Sequence, residues 1–194
     1  MEAFLVSLGA VAIAEIGDKT QLLALMLAMR FRAPLSVIAG IFAATVANHA
    51  LAAFAGTLVA QWLTPQILSW ILAVSFILMG LWALIPDEPP SEEETKPVSR
   101  FGPFTATTIA FFLVEMGDKT QLATVALGAR YEALTIVALG TTLGMMAANV
   151  PVVLFGEAAA KRVPVAAMRM AAAALFIVLG LVALVSALGQ GVSG

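Results

Sequence analysis

The chain has 194 residues, 61% hydrophobic and 11% charged, with a formal net charge of -2 and no cysteine. Soluble domains hold roughly 45–50% apolar and 25% charged residues, so this chain has too little polar side chain to cover a water-facing surface and must be solvated by lipid. Lack of cysteine excludes disulfides, thiolate metal sites and cysteine nucleophiles, and lack of a basic tract excludes nucleic acid as a partner.

The N-terminal stretch is expected to be mature protein. Ala12-Ile13-Ala14 has the look of a small-residue cleavage site, but only Glu2 and no Lys or Arg precedes it, and the motif that follows recurs later in the chain. A helical span needs about 20 mostly apolar residues. Six such runs follow in order: Ala3 to Met29, Leu35 to Val59, Ile67 to Ile85, Phe104 to Leu127, Leu134 to Phe155 and Val165 to Leu188. They are continuous rather than alternating, so helices are expected and a barrel is not. The expected fold is an all-α integral membrane protein of six transmembrane helices.

Between the third and fourth runs, residues 86–102 hold Asp87, Glu88, Glu92, Glu93 and Glu94 among four prolines, a solvated linker by composition. It separates two halves, 1–85 and 103–194, that repeat. Glu15 to Leu22 reads EIGDKTQL and Glu115 to Leu122 reads EMGDKTQL; Arg30 falls on Arg130 and Gly40 on Gly140. A three-span unit followed by its copy places the copy upside down, the inverted-repeat plan of many secondary transporters, whose sites lie near the midplane where the repeats meet. Arg30, Arg32, Lys96, Arg100, Lys161, Arg162 and Arg169 fall on or near one side and Arg130 on the other. The first side is therefore expected to be cytoplasmic, with both termini extracytoplasmic, in a cell inner or plasma membrane. Trp62, Trp70 and Trp82 sit near span ends as interfacial anchors.

The charges inside the spans are Glu15, Asp18, Lys19, Glu115, Asp118 and Lys119. Each unpaired charge at the bilayer centre costs at least about 2.5–3.5 kcal/mol, so these groups must face protein or a wet cavity. On a continuous helix Glu15 and Asp18 share a face, and Lys19 lies four residues beyond Glu15, so each Lys is expected to neutralise the Glu of its own motif. Asp18 and Asp118 then remain the least compensated acids. Gly17 and Gly117 permit local unwinding. Four carboxylates and two ammonium groups sum to -2, a charge that one divalent cation or two protons would cancel. The nearby oxygens of Thr20, Thr120, Gln21, Gln121, Asn48 and Asn149 complete a set suited to hard cations such as calcium, magnesium or manganese. His49 beside Asn48 reads as a buried polar group, with a metal-ligand or proton-relay role as the sharper alternative. Gly140 and Gly144 suit close helix contact. Pro151 suits a kink near Asn149.

The paired E-x-G-D-[KR]-[ST] motif in a six-span chain resembles the GDT family of divalent-cation/proton exchangers, and the likeness covers nearly the whole chain. The resemblance implies that Glu15, Asp18, Glu115 and Asp118 bind the cation, that manganese or calcium is the cargo with protons moving the other way, and that a chain of this size exports manganese from the cytoplasm. No resident cofactor is implied beyond the transported ion. The halves differ at Asn48-His49-Ala50 against Asn149-Val150-Pro151. A cation channel using the same acids for selectivity is the alternative reading. An intramembrane hydrolase lacks an HExxH-type motif or a Ser–His arrangement.

Overall fold

The computed structural model describes residues 1–86, 101–156 and 164–192. Asp87 to Arg100 of the acidic linker, with Lys96, and Lys161 and Arg162 lie outside the described residues. Among the described residues eight helices form: α1 (Glu2–Glu15), α2 (Lys19–Phe31), α3 (Pro34–Trp62), α4 (Pro65–Ala83), α5 (Pro103–Glu115), α6 (Lys119–Tyr131), α7 (Leu134–Phe155) and α8 (Val165–Val192). Among the described residues there is no strand. Prolines open α3, α4 and α5, where their fixed φ suits a first turn and their missing N–H costs nothing. Four helices, α3, α4, α7 and α8, are individually long and apolar enough to cross a membrane.

The remaining four helices are short. The first and fourth apolar runs, expected as single helices, each break at the acidic motif. Gly17 at φ 83 and Gly117 at φ 80 take a left-handed conformation that ends one helix before the next begins. Ile16 and Asp18, like Met116 and Asp118, are extended on either side.

The packing keeps each pair of half-helices in line. A side chain on Gly40 would strike Thr107 of α5, and one on Gly56 would strike Val125 and Ala129 of α6. The contacts climb in one direction, so α5 and α6 lie end to end along the 29-residue α3. At about 1.5 Å per residue α3 is ~43 Å long, enough to span a bilayer. Helix α1 runs parallel to α7 in the same way, with Gly140 against Phe4 and Ser7 and Gly144 against Leu8 and Ala12. Helices α4 and α8 run antiparallel. Gly80 meets Ala173 and Ile177, Gly180 meets Ala73 and Ile77, and Phe76 stacks on Phe176 with ring centroids 6.4 Å apart.

These contacts are reciprocal: shifting both members by one hundred residues turns each Gly40 or Gly80 contact into its Gly140 or Gly180 counterpart. Each half's opening helix therefore packs on the other half. One apolar core surrounds Phe76 and Phe176, and a second, around Leu23, Leu27, Ile41 and Phe111, joins α2, α3 and α5. Large apolar side chains such as Leu35, Phe42, Leu51 and Phe54 point outward, as a lipid-facing surface requires. At one end of the bundle the Tyr131 hydroxyl donates to Glu2 at 3.1 Å, and Pro65, Arg130 and Gln190 line a shared cavity of about 300 Å³. The starts of α1 and α4 and the ends of α6 and α8 therefore gather there.

The backbone approach at Gly140 leaves no room for a side chain. Gly140→Val should lower the melting temperature in detergent by several degrees, reflecting an overpacking cost of about 1–3 kcal/mol. Gly9→Ala, with open space around it, should leave the melt unchanged or raise it slightly. Equal melts for the two variants would contradict the close packing.

Candidate cation site

Both helix breaks meet in the interior. Glu15, Asp18, Glu115 and Asp118 are each at most 3% exposed. The two motifs are joined by ion pairs that cross between the halves. The Lys119 ammonium lies 2.9 Å from Asp18, and the Lys19 ammonium lies 4.0 Å from Asp118. This corrects the expectation that each lysine neutralises its own glutamate. The i to i+4 spacing that would pair Glu15 with Lys19 requires a continuous helix, and the break at Gly17 removes it. The aspartates expected to be least compensated are the ones the lysines engage.

Each glutamate finds a hydroxyl instead. Thr20 donates to Glu15 Oε2 at 2.6 Å, and Thr120 donates to Glu115 Oε1. The other oxygen of each glutamate, Glu15 Oε1 and Glu115 Oε2, is buried with no hydrogen-bond partner among the described residues. The four carboxyl groups are close enough that Glu15 feels the charge of Glu115, Asp18 and Asp118.

The breaks are braced by amides. Gln21 Oε1 accepts the Gly17 N–H at 3.1 Å, and Gln121 Oε1 accepts the Gly117 N–H at 2.6 Å. Gln21 Nε2 donates to the Ala148 carbonyl at 3.1 Å, close to Pro151, which has no N–H to give the preceding turn. Gln121 Nε2 donates to Asn48 Oδ1 at 3.4 Å. Asn48 Nδ2 donates at 3.0 Å to the Phe112 carbonyl, one of those freed at the end of α5. Asn149 turns back to the Met145 carbonyl of its own helix at 3.1 Å, leaving its buried Oδ1 unpaired among the described residues. His49 is fully buried, and neither ring nitrogen makes a hydrogen bond to a described residue.

In this conformation the aspartates stand in Lys–Asp pairs and the glutamates on threonine hydroxyls. Among the described residues, no three His, Asp or Glu side chains converge as a ready metal cage. The chemistry nevertheless fits a hard cation: every donor around the breaks is oxygen, and the α1 and α5 ends present freed carbonyls. Arg169, which the sequence placed among the flanking basic residues, lines a small cavity with Gly17, Asp18 and Lys119. No motif signals it, because its proximity comes from α8 folding back over the first break.

Spanning helices with buried paired acids at two facing breaks define an integral membrane cation transporter rather than an enzyme. The sequence profile of the divalent cation/proton antiporter family GDT1 matches residues 3–91 and 103–191, and the chain belongs to that family. It is 54% identical over 182 residues, 93% of this chain and 90% of the relative, to a Vibrio cholerae serotype O1 protein whose name marks it as a candidate manganese exporter. It is 28% identical over 228 residues, 96% of each chain, to GDT1-like protein 5 of Arabidopsis thaliana. No solved structure matches.

The crossed pairs predict energetic coupling between the halves. Lys119→Met and Asp18→Asn should each destabilise the protein, and the double variant should lose less than the sum by about 0.5–3 kcal/mol in a double-mutant cycle. Lys119→Met with Glu115→Gln should show weaker coupling. The reverse ranking would restore the own-motif pairing.

Proposed function

We propose that the chain exchanges a divalent cation, manganese or calcium, for protons, and that it exports manganese from the cytoplasm. The observation that carries this reading is the crossed Lys–Asp pairing, which brings both acidic motifs to one locus. Six spans arranged as two inverted three-helix repeats, residues 1–85 and 103–194 around the 86–102 linker, are the topology we assign. Its support is the end-to-end course of α5 and α6 along α3 and the antiparallel, reciprocal contact of α4 with α8. Both termini lie outside the cytoplasm in this scheme.

Glu15, Asp18, Glu115 and Asp118 supply the charged ligands. Asn48, Gln21 and Gln121 brace the breaks, and with Asn149 they offer oxygens as the site rearranges. The ammonium groups of Lys19 and Lys119 stand against the aspartates that would take the cargo, as tethered cations. With both lysines charged, the four carboxylates leave -2, which a divalent cation or two protons cancel. Glu15 and Glu115, each with one oxygen on a threonine hydroxyl and one free, are the groups we assign to carry protons. Thr20 and Thr120 hold those carboxyls in place, and Gly17 and Gly117 give the breaks their left-handed turn. The Vibrio cholerae relative's name supports manganese as cargo, and an oxygen donor set accepts calcium as well.

Reconstituted in proteoliposomes under an imposed pH gradient, the protein should accumulate manganese and move protons in the opposite direction. Asp18→Asn and Asp118→Asn should each reduce transport to background while the protein stays folded. Uptake that ignores the pH gradient, with no proton movement, would overturn exchange in favour of a channel. Normal transport by either variant would remove that acid from the site.

A further inference from the structure

The two halves are alike in sequence at the motif but not in what covers it. At the first break, a side chain on Gly17 would run into Val165. At the second, no described residue lies within 4 Å of the same position on Gly117. The cover comes from the first turns of α8. Val165, Arg169, Ala172 and Phe176 recur at helical spacing and share one face.

Arg169 is the charged member of that face. With Asp18, Lys119 and Gly17 it lines a cavity of about 10 Å³, room for a single water at most. Two cationic groups thus face one carboxylate already paired at 2.9 Å. The Arg169 Nε is buried and makes no hydrogen bond to a described residue, and no ion pair ties Arg169 to a described carboxylate. A structural arginine would have its fork satisfied.

One hundred residues earlier, the equivalent position is Ser69. Its hydroxyl donates at 2.8 Å to the Pro65 carbonyl of its own helix and carries no charge. Ser69, Leu72 and Ala183 line the cavity of about 300 Å³ at the opposite end of the bundle. Their counterparts Arg169, Ala172 and Ala83 line the small one. Equivalent places are therefore wide at one end and nearly filled at the other.

We propose that Arg169 is a fixed-charge gate for the exchange site. Its guanidinium repels a divalent cation approaching Asp18 from the side where α8 begins. The site opens to that side only when the first turns of α8 carry Val165 and Arg169 off the Gly17 break. The inference rests on the proposed exchange function for its cargo, but its geometry does not. The absence of such a charge at Ser69 makes the device one-sided, so it sets the direction from which the site is sealed.

The chain has no cysteine, so Ile16→Cys provides a single reporter in the small cavity, read by a membrane-impermeant thiol reagent in oriented vesicles. Arg169→Gln should raise Ile16→Cys labelling from the α8-start side about fivefold, the lower end of linkage between coupled sites. It should also raise manganese flux that persists without a pH gradient. Arg169→Lys, which keeps the charge, should hold both near the parent value. Unchanged labelling in Arg169→Gln, or an equal rise in Arg169→Lys, would overturn the proposal. If Arg169→Gln does not fold, Arg169→Met, which keeps the apolar stem and removes the charge, decides, and unchanged Ile16→Cys labelling would then overturn it. Labelling needs no transport, so an absence of proton-coupled flux in the parent would defeat the exchange reading while leaving the gate tested.

Discussion

A charge inside a low-dielectric interior must find its countercharge or be disfavoured by several kcal/mol. In this protein the countercharge for each buried aspartate comes from the other half of the chain. Lys119 meets Asp18 and Lys19 meets Asp118. Each half supplies its own glutamate a threonine hydroxyl, and the lysines engage the aspartates of the other half. The crossed pairs therefore pull two helix breaks together at one place. Breaking one pair would leave a buried acid exposed to the field of three others.

That arrangement demands close backbones. Gly40, Gly140, Gly80 and Gly180 each sit where a side chain would strike a neighbouring helix, and each contact has its counterpart in the other half. In lipid there is no hydrophobic drive between helices, so dispersion across such small-residue seams takes its place. The seams hold α5 and α6 in line along α3 and hold α4 against α8. Polar side chains complete the accounting at the breaks. Gln21 and Gln121 cap the glycine N–H groups, and Asn48 takes up a carbonyl that α5 leaves free. A break in a spanning segment is tolerable only where its backbone groups are satisfied within the protein.

Resemblance between the halves coexists with asymmetry where it bears on use. Asn48 reaches across to α5 while Asn149 folds back on its own helix. Arg169 faces the first break while Ser69, its counterpart, is bonded within its own helix. A symmetric pair of breaks would bind cargo from either side without preference. The differences leave the Gly17 break covered by Val165 and the Gly117 position without such a cover among the described residues.

The membrane class, the helical content and the duplicated motif were legible in the residues alone. They follow from composition, run length and identity at a fixed spacing, which need no knowledge of contacts. The six acids and lysines stood out for the same reason, since buried charge is rare in an apolar chain. Sequence spacing failed where it assumed an unbroken helix: the i to i+4 rule paired Glu15 with Lys19, and the left-handed turn at Gly17 undid it. The partners of Asp18 and Asp118, the bracing roles of Gln21, Gln121 and Asn48, and the placement of Arg169 were decided only by tertiary structure. Each depends on which helices lie side by side, and residues one hundred positions apart carry no local signal of that.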